Sequence, residues 1–272
     1  MRARIIFILK NKGAFVPFHH QYLLAQIVKG LLLKGGNDSF RDFTSYNFSG
    51  LKGQTKISRN GLHFFSNKVT LVLSCMDSEF IHYIVDELFK MPTVEVGNLV
   101  LIPESAEEEE IPDFNKETKF ICISPLVLIA PKFNDNESKN FISPESDEFS
   151  DKLFESTISR MHALGKYSME QMGGFNKFQI EPDVNYLRKI RENQKKFARI
   201  YPAYDQDVKY EVRGYTFPFI LYAAKEVQEF VFLCGLGAFA HKGFGMLDLA
   251  NSDPSSRSRE FKRRKTAPNP RA

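Results

Sequence analysis

Hydrophobic positions in the first hundred residues alternate between continuous runs and helical spacing. Residues 3–9 (ARIIFIL) are almost continuously apolar, which is typical of a buried strand. Over residues 19–33 the apolar side chains recur at intervals of three and four, which predicts an amphipathic helix. Two strands are predicted next, at 46–58 and 62–74, joined by a hairpin turn at residues 59–61.

The same alternation continues to position 103. Apolar residues at helical spacing predict a helix over residues 78–90, capped by Asp77 or Ser78, and a strand is predicted within residues 93–102. The order strand, helix, strand, strand, helix, strand is the pattern of a ferredoxin-like sandwich. We therefore expect residues 1–103 to form an N-terminal ferredoxin-like domain.

The second half of the chain repeats this order. Its predicted elements are a strand at 119–130, a helix at 149–164, a short strand at 177–181, a strand or pair of strands at 208–223, a helix at 225–233 and a last strand at 244–249. We expect residues 118–250 to form a second domain of the same kind. The predicted fold class is α+β, with tandem ferredoxin-like (RRM-like) domains and a C-terminal glycine-rich loop.

Three segments fall outside this plan. Residues 104–117 are strongly acidic, and such a run of like charges predicts a solvated linker. Residues 185–201 are rich in lysine and arginine and predict a basic helix, either a solvated face or a surface that contacts phosphates. Residues 251–272 have no apolar periodicity, so we expect a disordered basic tail. Part of that tail, SDPSSRSREF, resembles a translated cloning polylinker.

The composition permits a sizeable core and excludes several classes of protein. Hydrophobic residues make up 43% of the 272 positions. No run of about eighteen apolar residues is present, so we expect a cytoplasmic protein without a membrane span. The three cysteines lie far apart without zinc-binding spacing, and we expect neither a metal nor a cofactor. Residues 251–272 hold seven Lys or Arg and two acidic residues, a net of +5, so the total of +4 leaves −1 for the rest.

A glycine-rich segment, residues 235–245 (GLGAFAHKGFG), separates an apolar helix from the last strand. It does not match a P-loop, because Lys242 precedes Gly243 and no Ser or Thr follows. It does not match a dinucleotide fingerprint either, because Ala240 stands where the third glycine is needed. Such a segment either packs tightly through positive φ angles or lets a phosphate approach the backbone.

Four stretches carry a resemblance to a known family. They are VPFHHQYLLAQIVKGLL at the first helix, YNFSGLKG at the second strand, ISPLVLIA at the start of the second half and CGLGAFAHKGFGMLDL at its end. Together they resemble the CRISPR-associated endoribonucleases that cut repeat RNA, the Cas six family. The closing stretch is the most specific, because that family carries a terminal loop with two GxG motifs.

This resemblance implies a metal-independent endoribonuclease that binds CRISPR repeat RNA. The 2′-hydroxyl beside the scissile phosphate would attack it, leaving a 2′,3′-cyclic phosphate and a 5′-hydroxyl, with no cofactor. CRISPR repeat RNA and other CRISPR effector subunits are the implied partners, and the chain would be a monomer or a homodimer. One alternative is a non-cleaving RNA-binding subunit of an effector complex, and another is a ferredoxin-like module for a different ligand.

The resemblance also points to catalytic candidates on the first helix. Some relatives carry a catalytic histidine between the first helix and the second strand, but residues 39–49 contain none. Others use a first-helix histidine, which His20 matches best, although its place on the apolar stripe is equally typical of a buried structural histidine. His19, Tyr22 and Lys29 share the polar face, with about 15 Å of helix between His19 and Lys29.

The remaining candidates are expected to contact RNA rather than to cut it. They comprise the glycine segment and scattered basic residues, namely Gly235, Gly237, His241, Lys242, Gly243, Gly245, Lys52, Arg188, Lys195 and Lys196. For each of them an ordinary packing or surface role is the alternative.

Overall fold

The computed structural model of the protein describes residues 1–130, 140–205 and 208–263. Two large hydrophobic cores divide these residues into an N-terminal and a C-terminal half, and a third, smaller cluster lies around Tyr201 and Phe244. Among the described residues, no helix is both long enough and apolar enough to cross a bilayer. Each half is built on an antiparallel sheet, and the site described below lies where the halves meet.

The N-terminal half is a sheet with two helices whose apolar stripes share its core. Its elements are β1 (Arg2–Leu9), β2 (Phe15–Val16), α1 (Gln21–Lys34), β3 (Tyr46–Phe48), β4 (Thr55–Ser58), β5 (Gly61–Phe64), β6 (Lys68–Cys75), α2 (Ser78–Phe89), β7 (Val94–Val96) and β8 (Leu99–Glu109). The main sheet runs β8-β1-β6-β3, with β7 also paired to β8. A separate three-stranded sheet runs β2-β5-β4.

The C-terminal half has the same kind of sheet with a long hairpin added. Its elements are β9 (Glu117–Cys122), α3 (Phe149–Leu164), α4 (Met169–Gly174), β10 (Phe178–Pro182), α5 (Val184–Glu192), β11 (Ala198–Asp205), β12 (Val208–Tyr215), β13 (Pro218–Ala223), α6 (Lys225–Cys234) and β14 (Leu247–Leu249). The sheet runs β10-β13-β9-β14, and β11 pairs with β12 alone.

The two sheets share one strand order. Within each sheet the four strands are counted in the order in which they occur along the chain. The first sheet, β8-β1-β6-β3, then runs fourth, first, third, second. The second sheet, read as β14-β9-β13-β10, runs in the same order. All pairs in both sheets are antiparallel. The prediction of a mixed α and β fold with antiparallel sheets is therefore confirmed, and the predicted hairpin turn at residues 59–61 joins β4 to β5.

The predicted basic helix at 185–201 is wrong in its second part. Helix α5 ends at Glu192, and residues 198–205 form β11 instead. The reason is visible in the burial pattern, because Tyr201 and Ala203 alternate with exposed or half-buried neighbours, as strand residues do. Tertiary packing of this alternating face outweighs the helical propensity of the lysine-rich stretch before it.

The predicted acidic linker at 104–117 is also wrong in part, because residues 104–109 continue β8. Antiparallel pairing sets Arg2 opposite Glu109 and Arg4 opposite Glu107, so the acidic run faces the cations of β1. Glu109 is fully buried and lies 2.6 Å from the Arg2 guanidinium. The negative charge of Glu109 therefore pairs with an arginine of the neighbouring strand, and the acidic segment joins the sheet instead of staying in solvent.

The tail predicted to be disordered is ordered over its described part. Residues Ser258–Glu260 form β15 at the edge of the first sheet, paired with β8. Arg259 forms an ion pair of 2.8 Å with Glu108, and Phe261 is buried in the N-terminal core. These contacts supply the partners that the sequence of the tail lacks on its own. Residues 264–272 lie outside the described residues.

A buried ionic cluster fastens the halves together. The Arg2 guanidinium lies between Glu109 of β8 and Asp248 of β14, and it donates to the Leu247 carbonyl at 2.7 Å. Arg257 reaches the other oxygen of Asp248 at 2.9 Å. The thiols of Cys75 and Cys234, one from each half, both donate to the Ser45 carbonyl. The three cysteines are buried and form no disulfide.

Candidate functional site

A cavity of about 260 Å³ lies between the two halves. One wall is α1, and the second is the segment that leads from α1 into β3. The third is β11 with the tip of the glycine segment, which consists of His241, Lys242 and Phe244. The side chains that matter for its chemistry are Tyr22, Lys29, Arg41, Tyr204, His241 and Lys242. The structure thus brings together four predicted residues, Tyr22, Lys29, His241 and Lys242, from opposite ends of the chain.

Aromatic contacts fix α1 against β11. The Tyr22 and Tyr204 rings lie 5.2 Å apart, and the His19 and Tyr201 rings lie 4.2 Å apart. Tyr22 and Lys29 are seven residues apart, so both project from the same face of α1, about 10 Å apart along its axis. The cavity therefore has an aromatic mouth at the start of α1 and a cation further along it.

His20 has the surroundings of a structural residue. Its side chain is buried at the start of α1, and its Nε2 accepts a hydrogen bond of 3.0 Å from the backbone N–H of Leu51. The other ring nitrogen, Nδ1, faces the Pro17 carbonyl at 3.3 Å, so it carries the proton. A general base needs a lone pair that faces substrate, and here that lone pair is occupied. The sequence left open whether His20 is catalytic or a buried structural histidine, and this geometry fits the second interpretation.

We expect His20 to make the folded protein less stable as the pH falls below about 6.5. Burial lowers the pKa of His20 to about 4, so between these values the unfolded chain binds a proton that the folded protein excludes. The free energy of unfolding then falls by up to about 1.4 kcal/mol per pH unit. Above the pKa of His20 in the unfolded chain, the imidazole is neutral in both states and no longer makes the stability depend on pH.

The measurement compares urea unfolding of the wild type and His20→Gln at about pH 5 and pH 7. Glutamine offers an amide oxygen to the Leu51 N–H but does not titrate in this range. The difference in stability between the two pH values should be smaller in His20→Gln. An equal difference in both proteins would contradict the assignment.

His19 differs from its neighbour in its surroundings. Its ring is half-buried against Tyr201, one helical turn before Tyr22. Burial lowers the pKa of His19, and the nearby Arg199 cation lowers it further. The imidazole is therefore neutral at pH 7 and able to accept a proton. Burial also raises the pKa of Tyr22, with Tyr204 adding to the effect, so its hydroxyl keeps its proton.

The four glycines of the segment serve packing rather than an open phosphate cradle. All four are buried and have positive φ angles. A β-carbon on Gly243 would lie 2.4 Å from the Phe48 ring, and one on Gly245 would lie 1.9 Å from the Leu236 carbonyl oxygen. The N–H of Gly245 already donates to the Pro125 carbonyl at 2.7 Å. These contacts favour the packing role that the sequence left open for the glycines over a contact with RNA.

The tip of the segment is fastened to both halves. Lys242 donates to the Tyr204 carbonyl at 2.8 Å and to the Tyr210 hydroxyl at 3.1 Å. On the other side, the Asn47 amide donates to the Phe244 carbonyl at 3.0 Å, a contact between residues 197 positions apart. His241 and Lys242 are half-exposed and line the cavity.

Besides the four glycines, four basic residues that were predicted to contact RNA lie outside the cavity lining. Lys52 is half-buried near the ionic cluster, where burial lowers its pKa and Asp248 opposes that shift. Arg188 is exposed on α5, 3.9 Å from Glu192, and Lys195 and Lys196 are exposed just after it. Sequence reasoning missed Arg41, Asp42 and Tyr204, and the one hint was the polar and aromatic run RDFTSY after α1.

Comparison with known proteins gives a consistent result. The model of the family described as CRISPR associated protein Cas6, C-terminal, matches residues 106–249. A CRISPR-associated endoribonuclease-like protein Cas6 from Pyrococcus furiosus is 22% identical over 260 residues, covering 92% of this chain and 98% of the relative.

Solved structures agree with this match. The structure of a Cas6-related protein from Pyrococcus furiosus has a TM-score of 0.76 and 20% identity, covering 93% of this chain and 99% of that one. That of a RAMP protein binding different RNA substrates has a TM-score of 0.75 and 20% identity, covering 92% and 100%. At such identities the likeness to solved structures shows a shared fold.

Proposed function

The chain belongs to the Cas6 family, whose C-terminal model covers residues 106–249, and from this we propose that it binds CRISPR repeat RNA in the cavity between its halves. The observation that carries the proposal is the composition of that cavity. Aromatic rings at Tyr22 and Tyr204 and cations at Lys29 and Arg41 share one opening. Single-stranded RNA is bound in this way, with bases on aromatic rings and phosphates on cations.

We interpret both halves as ferredoxin-like domains in tandem. The shared strand order, fourth, first, third, second, supports this interpretation. In each half a helix follows the first strand and another follows the third, as the split βαβ arrangement requires. The cavity then lies at the junction of two similar domains, where ligand sites are often found. A CRISPR effector subunit as a further partner and a cytoplasmic location follow from the proposed function.

For the reaction we propose metal-independent cleavage of the repeat RNA. A base takes the proton of a 2′-hydroxyl, whose oxygen attacks the adjacent phosphorus. The 5′-oxygen leaves and takes up a proton, giving a 2′,3′-cyclic phosphate and a 5′-hydroxyl. His19 is the proposed base, because its imidazole is neutral and half-exposed. Tyr22, one turn away and protonated, is the proposed hydrogen-bond donor to the phosphate.

Cleavage of labelled repeat RNA in EDTA tests the reaction. We expect products with the wild type and a loss of at least about a hundredfold in the rate for His19→Ala. His20→Gln should keep most of the rate, since His20 faces the interior. His162→Ala is a matched control, because His162 is an exposed histidine on α3 rather than at the start of α1. An unchanged rate in His19→Ala would remove His19 from the mechanism.

A second candidate function is holding repeat RNA without cutting it. The observation in its favour is that His20, the best match to a first-helix catalytic histidine, accepts from Leu51 and is unable to face RNA. Residues 39–49 offer no other histidine. Tight binding of repeat RNA with no product between about pH 6 and pH 9 would select this function over cleavage.

Binding through the cavity makes a separate prediction for Lys29. Replacing Lys29 with methionine should weaken repeat RNA binding and reduce the slope of log affinity against log salt by about 1. Lys34→Met is the control, since Lys34 is an exposed cation at the end of the same helix but does not line the cavity. Equal losses in both variants, measured by fluorescence anisotropy, would place the RNA elsewhere.

A further inference from the structure

Two neighbouring side chains in the cavity carry opposite charges. Arg41 and Asp42 belong to the segment between α1 and β3, and both line the cavity. Both are exposed, and within the described part of the chain neither side chain has a hydrogen bond or an ion pair. Opposite charges next to each other that do not pair are available to a ligand with both donors and acceptors.

The backbone of this segment is held in place even though these side chains are not. The N–H of Arg41 donates to the Asp38 carbonyl at 3.3 Å, and the N–H of Phe43 donates to the Phe40 carbonyl at 3.2 Å. The Phe43 ring packs on Phe80 of α2, with centroids 4.9 Å apart. Arg41 and Asp42 therefore belong to an anchored turn and line the same cavity as the Tyr22 and Tyr204 rings.

We propose that the cavity binds one unstacked guanine base of the RNA. The Asp42 carboxylate accepts hydrogen bonds from guanine N1–H and N2–H, and the Arg41 guanidinium donates to O6 or N7. The Tyr22 and Tyr204 rings provide the aromatic contact. The inference rests on the proposed RNA binding and adds to it the identity of the base that is read.

Guanine is the base that fits, because a carboxylate is acceptor-only and needs two neighbouring donors. Guanine presents N1–H beside its 2-amino group. Adenine and cytosine each present an amino group beside a ring nitrogen that accepts, and uracil presents one N–H between two carbonyls. On the Watson–Crick edge of any of these three, one oxygen of the Asp42 carboxylate would face a lone pair instead of a donor.

The test uses oligouridylates of about twelve nucleotides with one central guanosine, inosine, adenosine or cytidine. Inosine keeps N1–H and O6 but lacks the 2-amino group. We expect the guanosine probe to bind roughly tenfold to a hundredfold more tightly than the adenosine and cytidine probes, with inosine between them. Asp42→Asn should remove this preference.

Asp38→Asn is the matched control, since Asp38 is an exposed acid of the same segment that does not line the cavity. It should keep the guanosine preference. Equal binding of all four probes by the wild type, or a preference that survives Asp42→Asn, would overturn the guanine pocket while leaving RNA binding in place. Failure of the wild type to bind repeat RNA or any probe would overturn both proposals.

Discussion

Glu109→Leu is expected to lower the free energy of unfolding by about 3 to 5 kcal/mol. The Arg2 guanidinium is fully buried, and Glu109 is its nearest partner at 2.6 Å. Glu109 also binds Arg4, so the substitution leaves two arginine cations side by side. Asp248 at 3.4 Å and the Leu247 carbonyl remain as the partners of Arg2. A guanidinium stays charged at any ordinary pH, so it has no means of relieving this burial.

Urea unfolding followed by circular dichroism measures the loss, and the neighbouring residue supplies the control. Glu108 pairs with Arg259, whose side chain is 61% exposed, so Glu108→Leu should cost less than about 1 kcal/mol. The double variant Arg2→Met/Glu109→Leu should be more stable than Glu109→Leu, because it also removes the buried cation that has lost its nearest partner. A double variant that is no more stable than the single would show that the charge of Arg2 is not the cause.

Gly245→Ala is expected to lower the free energy of unfolding by about 2 to 5 kcal/mol, from left-handed strain and a steric clash combined. Gly245 has a φ of +69°, and an added β-carbon would lie 1.9 Å from the Leu236 carbonyl oxygen. The backbone is unable to move aside, because the N–H of Leu236 donates to the Gly245 carbonyl at 2.8 Å. The clash and the hydrogen bond involve the same two residues.

Gly165→Ala separates the two causes. Gly165 ends α3 with nearly the same φ, +68°, but a β-carbon there would meet no atom within 4 Å. Its cost should be about 1 to 2 kcal/mol, from the left-handed conformation alone. Thermal unfolding midpoints of the two variants measure the difference, which is the contribution of the close approach. Equal midpoints would mean that the glycine segment is free to shift.

The parts of the fold with strong local patterns could be predicted from the sequence. Helix α3 spans residues 149–164 as its apolar spacing indicates, and Gly165 ends it in a left-handed conformation. The family resemblance carried by the glycine segment is confirmed by the match over residues 106–249. The prediction of an acidic linker was wrong for residues 104–109. These residues form a strand because they pair with the cations of β1, which lie about a hundred residues earlier in the chain.

The site shows the same division. Spacing alone places Tyr22 and Lys29 on one helix face, and the family resemblance made them site candidates. Arg41, Asp42 and Tyr204 come together only when β11 packs beside α1, and no local pattern encodes that contact. The burial of His20 depends on the N–H of Leu51, which lies 31 residues further along the chain. His19 and His20 are neighbours in the chain, and tertiary structure sets the difference between their environments.

The hydrogen bond from Asn47 to the Phe244 carbonyl has a consequence for synthesis. Its two residues are 197 positions apart. At the usual rates of translation, Phe244 is therefore synthesised roughly 10 to 40 seconds after Asn47. For most of that time α1 lacks the β11 wall, and for all of it α1 lacks the tip that holds this wall. The cavity is therefore completed among the last steps of folding, and a nascent chain presents only part of the proposed RNA-binding surface.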